Sequence, residues 1–326
     1  MKILLVRVSS LGDVLHNLPM VADILRHDPG AQVDWVVEEG YVGLVRLNPM
    51  VRKVIPFALR RWRKGLGDAA VRAELRGFWR ELRAEAYDYV FDTQGLIKTG
   101  LIMAAARVRP GGQKIGLANG TEDSGYEGVS RIFHTRSIPV APRTHAVARG
   151  RQVAAAALGY ALDTPPDFGL PAPAADGRPT WMPEGPYAVF FHGTARDAKK
   201  WPQRDWIALG QALAPLTVLL PWGSPREKSD AEALAAALPN ARVLPRLPMM
   251  EAVALARHAA LAVGVDTGLT HIAAAFLTPT LELYVDSPRW KTEGNWSPRI
   301  VNLGDTGAAP DAAQAIAAAR GLLERT

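Results

Sequence analysis

The first polar side chains that could do chemistry lie in a short turn near the N-terminus. Residues 2–8 form an apolar run that suits a strand buried on both faces, and residues 9–13 (SSLGD) follow it directly. From Val14 onward apolar residues recur at helical spacing, so Asp13 stands at the expected N-cap of a helix. Ligands of open α/β sheets bind beyond the carboxyl ends of the strands, where this turn offers a carboxylate and two hydroxyls. Two roles stay open for Asp13: a group that faces a ligand, or a helix cap alone.

Three turns in the second half of the chain also carry polar groups directly after apolar runs. Residues 192–202 combine small residues, a hydroxyl and two lysines, which suits a phosphate. Residues 221–227 present one carboxylate at a helix start, where it can accept hydrogen bonds from paired hydroxyls such as those of a ribose. In residues 265–271, Thr267 and Gly268 open a helix whose free N–H groups favour an anion, and a diphosphate is the expected ligand. Each motif alone is weak, because Ser, Thr and Asp cap many helices, but all three fall on the same edge of one predicted sheet.

Several familiar sites are missing from the sequence. It contains no G-x-G-x-x-G in the first turn, no P-loop and no H-E-x-x-H, which disfavours a dinucleotide dehydrogenase, a P-loop NTPase and a zincin. The absence of Cys excludes disulfides, thiolate metal sites and a Cys nucleophile, and no two Asp stand at i and i+2 to clamp a metal on a diphosphate. We therefore expect no metal ion and no cofactor, with Lys199 and the N–H groups at Thr267 and Gly268 offsetting the charge of a leaving diphosphate. His192 and His271 stay open between packing, capping and catalysis.

The elements that position these turns alternate between strand and helix, which predicts an α/β fold of doubly wound parallel sheets. In the first half the predicted strands are 2–8, 32–37, 53–57 and 87–92, and the predicted helices are 14–25, 41–47, 68–85 and one that ends at 106. In the second half the predicted strands are 187–191, 216–220, 242–244, 261–265 and 281–285, and the predicted helices are 204–214, 227–238, 249–258, 269–276 and 311–323. A Pro-rich segment separates the halves, which predicts domains at 1–165 and 187–326 with a linker at 166–186. The docking site of the last helix is not predicted.

Basic residues are concentrated in one stretch. The formal net charge is +6, and residues 52–83 hold ten Lys or Arg against three acidic residues. Such a patch attracts an anionic partner, for example nucleic acid, a membrane surface or a phosphorylated glycolipid. The alternative is a solvated helix face without a partner, but the segment 60–64 (RRWRK) is dense and includes an aromatic residue, which favours a partner. No segment reads as a signal peptide or a membrane span, so we expect the protein in the cytoplasm.

Five stretches resemble glycosyltransferase family 9, the lipopolysaccharide heptosyltransferases. They are residues 6–16 (VRVSSLGDVLH), 35–39 (WVVEE), 60–64 (RRWRK), 220–223 (LPWG) and 265–271 (VDTGLTH). The resemblance spans nearly the whole chain, and WVVEE and RRWRK favour the branch that transfers the first heptose. It implies the GT-B fold, in which two Rossmann-like domains face each other across a cleft. The implied reaction is an inverting, metal-independent transfer of L-glycero-D-manno-heptose from ADP-heptose to the first Kdo of Kdo2-lipid A, at the cytoplasmic face of the inner membrane and without nucleic acid.

The resemblance also implies a role for each matching position. It makes Asp13 the general base on the acceptor hydroxyl, and Lys199 the second catalytic residue, beside the diphosphate and sugar. The implied donor-binding residues are Ser9, Thr194, Ala195, Lys199, Glu227 at the ribose, Leu247 at the adenine, Asp266, Thr267, Gly268 and His271. The implied acceptor-binding residues are Ser10, Gly12, Arg60, Arg61, Arg63 and Lys64. Ala195 and Leu247 stand where the family pattern has Thr and Met, so we expect a backbone N–H from the first and apolar packing from the second.

Three other functions remain alternatives to this reaction. A non-catalytic binder of nucleic acid or anionic membrane would need the basic stretch but not the donor turns. Another family 9 heptosyltransferase would use a different acceptor. A nucleotide-sugar epimerase would keep the fold and change the chemistry.

Overall fold

The computed structural model describes residues 1–172, 179, 181–194 and 196–325. These residues form two compact units, Met1–Gly169 and Leu170–Thr326, which we call unit 1 and unit 2. The division between them lies within the Pro-rich segment predicted as a linker. Residues 173–178, Thr180 and Thr326 lie outside the described residues, as does Ala195, a predicted donor-site residue.

Unit 1 contains a parallel sheet with the strand order β3-β2-β1-β4-β5-β6 over the described residues. The strands are β1 Lys2–Val6, β2 Gln32–Glu38, β3 Val51–Phe57, β4 Ala86–Asp92, β5 Arg107–Leu117 and β6 Arg136–Ile138. The helices are α1 Leu11–His16, α2 Leu18–His27, α3 Val42–Arg46, α4 Leu59–Trp62, α5 Ala69–Leu82, α6 Ile97–Ala105 and α7 Ala146–Leu158. The order of the strands reverses between β1 and β4, so the carboxyl ends of these two strands border the crevice where doubly wound sheets bind ligands.

The first helical region differs from the prediction. It consists of α1 and α2, which are separated at Asn17, and Pro19 lies in the first turn of α2, where a proline needs no N–H partner. The predicted N-cap is also wrong, because Ser10 precedes α1 and Asp13 is its third residue. The carboxylate is therefore one turn further into the helix than the sequence pattern indicates.

Four elements of unit 1 are not predicted by the sequence, namely α4, β5, β6 and α7. Strand β5 contains Pro110 and three glycines, and its pairing with β4 shifts register between Tyr87 and Tyr89. A strand with this composition lacks a regular apolar alternation. Helix α7 carries buried Arg149 and Arg151, which interrupt its apolar face.

Unit 2 repeats the topology of unit 1, with the strand order β12-β11-β10-β7-β8-β9 and parallel pairing over the described residues. The strands are β7 Tyr187–Phe191, β8 Thr217–Leu220, β9 Ala241–Val243, β10 Leu261–Val265, β11 Thr280–Tyr284 and β12 Ile300–Gly304. The helices are α8 Gln203–Ala212, α9 Pro225–Ala237, α10 Met249–Arg257, α11 Gly268–Ala275 and α12 Ala312–Glu324. Here the order reverses between β7 and β10. Strand β12 is not predicted by the sequence.

The last helix packs within its own unit. Ala315, Ala319 and Leu322 of α12 belong to the same apolar core as Val263 and Leu281 of β10 and β11. Every residue of β7, β10 and β11 is buried, as expected for central strands of a parallel sheet. None of the helices in the described part of the chain combines the length and apolar character that a bilayer crossing requires.

Candidate active site

The loops at the strand-order reversal of unit 2 bring two predicted donor-site residues into contact. Lys199 ends a 3₁₀ turn in the loop after β7, and Asp266 directly follows β10. The Lys199 Nζ atom lies 2.5 Å from Asp266 Oδ2, and both side chains are mostly buried. Because β7 and β10 are neighbours in the sheet, the topology alone places these loops at one edge. An ammonium group at this position can bind a diphosphate.

The N-terminus of α11 begins directly after Asp266. Thr267 is its N-cap, and the Thr267 side chain makes no capping hydrogen bond, so the hydroxyl does not occupy the first N–H groups of the helix. Thr267 and Gly268 are both partly exposed. Open N–H groups and the positive end of the helix dipole favour an anion. This end of α11 therefore offers a second group of anion ligands beside the Lys199 ammonium.

His271, one turn into α11, connects Asp266 to a second carboxylate. Its Nε2 lies 3.0 Å from Asp266 Oδ1, and its Nδ1 lies 3.0 Å from Oε1 of Glu282 on β11. Burial alone would lower the pKa of His271, but the two carboxylates outweigh this effect and raise it to about 10. Burial would raise the pKa of Asp266, yet His271 and Lys199 hold it well below its ordinary value. Lys199, Asp266, His271 and Glu282 therefore form a series of alternating positive and negative charges next to the N-terminus of α11.

Glu227, the predicted ribose ligand, is also part of the cap of α9. Its Oε2 accepts hydrogen bonds from the Gly223 N–H at 2.6 Å and the Ser224 N–H at 3.2 Å, whereas Oε1 accepts none from the described residues. A Cβ atom at Gly193 would lie 2.7 Å from Glu227 Cδ, so a larger residue there would displace the Glu227 side chain from its present position. The structure thus brings Glu227 next to the loop that carries Lys199.

The other predicted donor residues lie in less defined surroundings. Thr194 is half-buried in the loop after β7, and Leu247 is half-buried in the segment before α10. Ser9 lies in unit 1 at the end of β1, where its Oγ accepts hydrogen bonds from Gln94 Nε2 and Lys98 Nζ, both at 3.3 Å.

His192 lies outside the charged network of His271. It is buried, and with Lys200, Trp206 and Asp230 it lines a cavity of about 260 Å³ in unit 2. Burial lowers the pKa of His192, so the imidazole is neutral at physiological pH. Its Nε2 has no hydrogen-bond partner among the described groups.

Asp13 in unit 1 is held by two arginines and by its helix cap. Its Oδ1 lies 2.6 Å from Arg7 Nη2 and 3.3 Å from Arg149 Nη2. Its Oδ2 accepts hydrogen bonds from Ser10 Oγ at 2.8 Å and Ser10 N at 3.1 Å. Burial would raise the pKa of Asp13, but Arg7, Arg149 and Ser10 outweigh this and hold it well below its ordinary value. Gly12, between Ser10 and Asp13, is partly exposed.

Three residues of these networks are missed by the sequence analysis. Arg7 follows a buried apolar strand, Glu282 stands within one, and Arg149 lies in the unpredicted α7. A lone charge in such a run costs free energy unless a partner compensates it, so it is a usable signal for Arg7 and Glu282. The sequence offers no comparable signal for Arg149.

Three of the four predicted acceptor-binding cations are exposed. Arg60, Arg63 and Lys64 lie on α4 and in the turn that follows it. Among the described residues, no carboxylate forms a salt bridge with any of them. They are therefore available to an anionic ligand.

The other two residues of the segment 60–64 already have partners within unit 1. Arg61 pairs with Glu39 at 2.9 Å and with Glu74 at 2.7 Å, so its guanidinium is already engaged. Trp62 is buried and packs edge-on against Phe57. The aromatic residue thus anchors α4 to the core and does not contribute a surface for a partner.

Within the described part of the chain, no group of three or more His, Asp or Glu side chains could hold a metal ion. Metal independence stays a prediction.

The model of glycosyltransferase family 9 (heptosyltransferase) matches residues 75–317. Over 288 residues the chain is 42% identical to Lipopolysaccharide heptosyltransferase 1 of Pseudomonas aeruginosa, covering 87% of this chain and 78% of that protein. The structure of E. coli heptosyltransferase WaaC with ADP matches with a TM-score of 0.82 and 33% identity, covering 100% of this chain and 99% of that one. The same enzyme with ADP-2-deoxy-2-fluoro heptose matches with a TM-score of 0.77, at the same identity and coverage. The predicted GT-B fold class is confirmed.

Proposed function

This chain belongs to glycosyltransferase family 9 and is a heptosyltransferase of lipopolysaccharide core synthesis, and we propose that it transfers L-glycero-D-manno-heptose from ADP-heptose to the first Kdo of Kdo2-lipid A. The transfer inverts the anomeric carbon and needs no metal ion. The observation that carries the proposal is the contact of Lys199 with Asp266 at the N-terminus of α11. A relative 33% identical to this chain has been solved with ADP, which supports the same donor class here.

Unit 2 holds the donor. The diphosphate of ADP-heptose accepts hydrogen bonds from the first N–H groups of α11, which starts at Gly268, and pairs with the Lys199 ammonium. The unused Oε1 of Glu227 accepts the ribose hydroxyls, and Leu247 packs against the adenine. These cationic and N–H groups compensate the charge that grows on ADP as it leaves, which is the contribution a metal ion makes in other enzymes.

Unit 1 supplies the base. The acceptor hydroxyl oxygen attacks the anomeric carbon of heptose, the bond from that carbon to the diphosphate oxygen breaks, and ADP leaves with the bonding electron pair. Asp13 accepts the hydroxyl proton as the new bond forms. Because the bond to the acceptor forms as the bond to ADP breaks, in a single displacement, the configuration at that carbon is inverted. Arg7 and Arg149 keep Asp13 ionised and fix its orientation before the proton is transferred.

The exposed cations of unit 1 recognise the acceptor. Arg60, Arg63 and Lys64 form no salt bridge among the described residues, and Kdo2-lipid A carries carboxylates and phosphates that guanidinium and ammonium groups bind well. The same cations favour the anionic cytoplasmic face of the inner membrane, where the acceptor resides. A peripheral location follows from this proposal.

A coupled assay of ADP release tests the proposed reaction. ADP should be released from ADP-heptose when Kdo2-lipid A is present and not in its absence, and excess EDTA should leave the rate unchanged. NMR of the product should show the anomeric configuration opposite to that of the donor. Equal ADP release without acceptor would instead indicate hydrolysis or isomerisation of the donor, and loss of activity with EDTA that Mg²⁺ restores would refute metal independence.

A further inference from the structure

Glu282 is a buried acid that the sequence analysis does not assign to the site. It lies within β11 and is fully shielded from solvent. An ionised carboxylate in such surroundings needs several donors. Glu282 has three: His271 Nδ1 at 3.0 Å from Oε1, and the Tyr284 hydroxyl at 3.0 Å and the Gly294 N–H at 2.8 Å from Oε2. The carboxylate thus has the donors that an ionised form needs at this depth.

The position of His271 between two carboxylates determines its charge. Both of its ring nitrogens lie 3.0 Å from a carboxylate oxygen, one from Asp266 and one from Glu282. An ionised carboxylate only accepts hydrogen bonds, and a neutral imidazole has one N–H, so both contacts are hydrogen bonds only if His271 is an imidazolium. Among the described residues, the titratable groups in contact with this ring include Asp266 and Glu282, and Lys199 lies behind Asp266. Tyr284 stays neutral, because burial raises its pKa well above its ordinary value.

Asp266 therefore has two cationic partners on different oxygens. Lys199 is bound to Oδ2, whereas His271 and the Thr292 hydroxyl are bound to Oδ1. When the donor diphosphate arrives, the Lys199 ammonium must turn at least partly from Asp266 to the phosphate oxygens. Leaving a buried carboxylate without a counter-charge is strongly unfavourable. His271, the second cation, remains bound to the other oxygen, so Asp266 keeps a counter-charge when Lys199 turns away.

We propose that Glu282 is a positioning residue of the donor site: it keeps His271 an imidazolium, and His271 compensates Asp266 while Lys199 binds the diphosphate. Glu282 does not contact the donor in this arrangement. It acts through His271 and Asp266, which are the two residues that lie between it and Lys199 in this series of contacts. The inference rests on the proposed function for its ligand, a nucleoside diphosphate.

The charge of His271 can be measured without any substrate. In protein labelled with ¹⁵N-histidine, both ring nitrogens of His271 should carry a proton at pH 8, with the signals assigned by their loss in His271→Gln. A neutral His271 in the parent protein at that pH overturns the proposal, and it does so even if Glu282 variants fail to fold. This outcome is separate from failure of the proposed function, which would appear as a parent protein that does not bind ADP.

Glu282→Gln tests the link between this charge and the donor site. The substitution keeps the shape and removes the negative charge, so the protonation midpoint of His271 should fall by about three pH units, from about 10 to about 7. The Kd for ADP should then rise about tenfold at pH 8, and it should return to near the parent value at pH 6, where His271 regains its proton. Glu232→Gln removes the same charge at an exposed position of α9. It should change neither the protonation midpoint of His271 nor the Kd for ADP. A neutral His271 with an unchanged Kd for ADP at pH 8 overturns the proposal, as does a raised Kd that pH 6 does not restore.

Discussion

In unit 1 the Asp13 carboxylate is paired with Arg7 across 2.6 Å, and the Arg7 side chain is only 5% exposed. Arg149 reaches the same oxygen at 3.3 Å. Two cations thus oppose one anion beside the carboxyl end of β1, and the excess positive charge favours an anionic substrate there. The pairing also fixes the orientation of Asp13, which a base needs if it is to receive a proton from a bound hydroxyl.

Asp13→Asn should lower turnover by about 10²–10⁴-fold, the usual contribution of a general base. It should also lower the Tm, because it leaves Arg7 and Arg149 without a counter-charge. Steady-state kinetics below the Tm of the variant separate the two effects.

Asp23→Asn is the matched control for this prediction. Asp23 forms a comparable buried pair with Arg151 at 2.6 Å, away from the end of β1. This variant should lose stability and keep near-parental turnover. If Asp13→Asn behaves in the same way, Asp13 is a structural residue and the assignment of the base is wrong.

Arg149→Met should make the enzyme more sensitive to acid. The folded-state pKa of Asp13 is depressed, so its contribution to stability is present above the unfolded pKa of about 4 and is lost as the pH falls through the folded value. Removing one cation raises the folded pKa, so less of this stability remains in acid and the midpoint of acid unfolding should move to higher pH. Arg149→Lys keeps the charge and should shift the midpoint less. An unchanged acid-unfolding midpoint in Arg149→Met would show that Arg149 does not stabilise the charge of Asp13.

Lys199→Ala should reduce kcat/KM for ADP-heptose by about 10²–10³-fold, since it removes a cation from the leaving group. Lys200→Ala removes the same charge one residue later. Lys200 pairs with Asp230 at 2.5 Å and lines the neighbouring cavity, so its loss should change kcat/KM by no more than about threefold. Equal effects of the two substitutions would mean that overall charge, and not the contact of Lys199 with the donor, determines the rate.

The parts of the fold that the sequence predicts are those with uninterrupted apolar runs. Strands β7 and β10 are five-residue apolar runs, and the predicted bounds match the structure. Strand β12 and helix α7 are not predicted because polar residues interrupt their apolar pattern, Asn302 in the strand and Arg149 and Arg151 in the helix. Arg151 is compensated by Asp23, which lies 128 residues away in the sequence, and no local rule finds such a pair.

The residues of the candidate site also divide into those that the sequence predicts and those that it does not. The turns that carry Asp13, Lys199 and Asp266 follow apolar strands and can be recognised from the chain itself. The contacts of their partners cannot, because Arg149 reaches Asp13, and Glu282 reaches His271, only through tertiary packing. The sequence also does not predict whether the Trp62 side chain is exposed to solvent or packed in the core. The structure shows that it packs into the core of unit 1.

The last prediction concerns the exposed cations of α4 and the following turn. Changing Arg60 and Lys64 together to Ala should raise the KM for Kdo2-lipid A and leave the KM for ADP-heptose almost unchanged. The difference should shrink as salt is added, because exposed charges are screened over about 8 Å at physiological ionic strength. Arg76 and Arg80 on α5 are equally exposed, and changing both to Ala is the matched control for net charge.

An acceptor without acyl chains separates recognition of the sugar from binding to a membrane. If Arg60 and Lys64 contact the carboxylates and phosphates directly, the double variant should show a raised KM for this soluble acceptor too, and the Arg76 and Arg80 variant should not. If the cations only hold the enzyme at an anionic surface, parent and variant should use the soluble acceptor equally well. Equal KM values would therefore refute direct recognition and leave these residues as a membrane-binding surface.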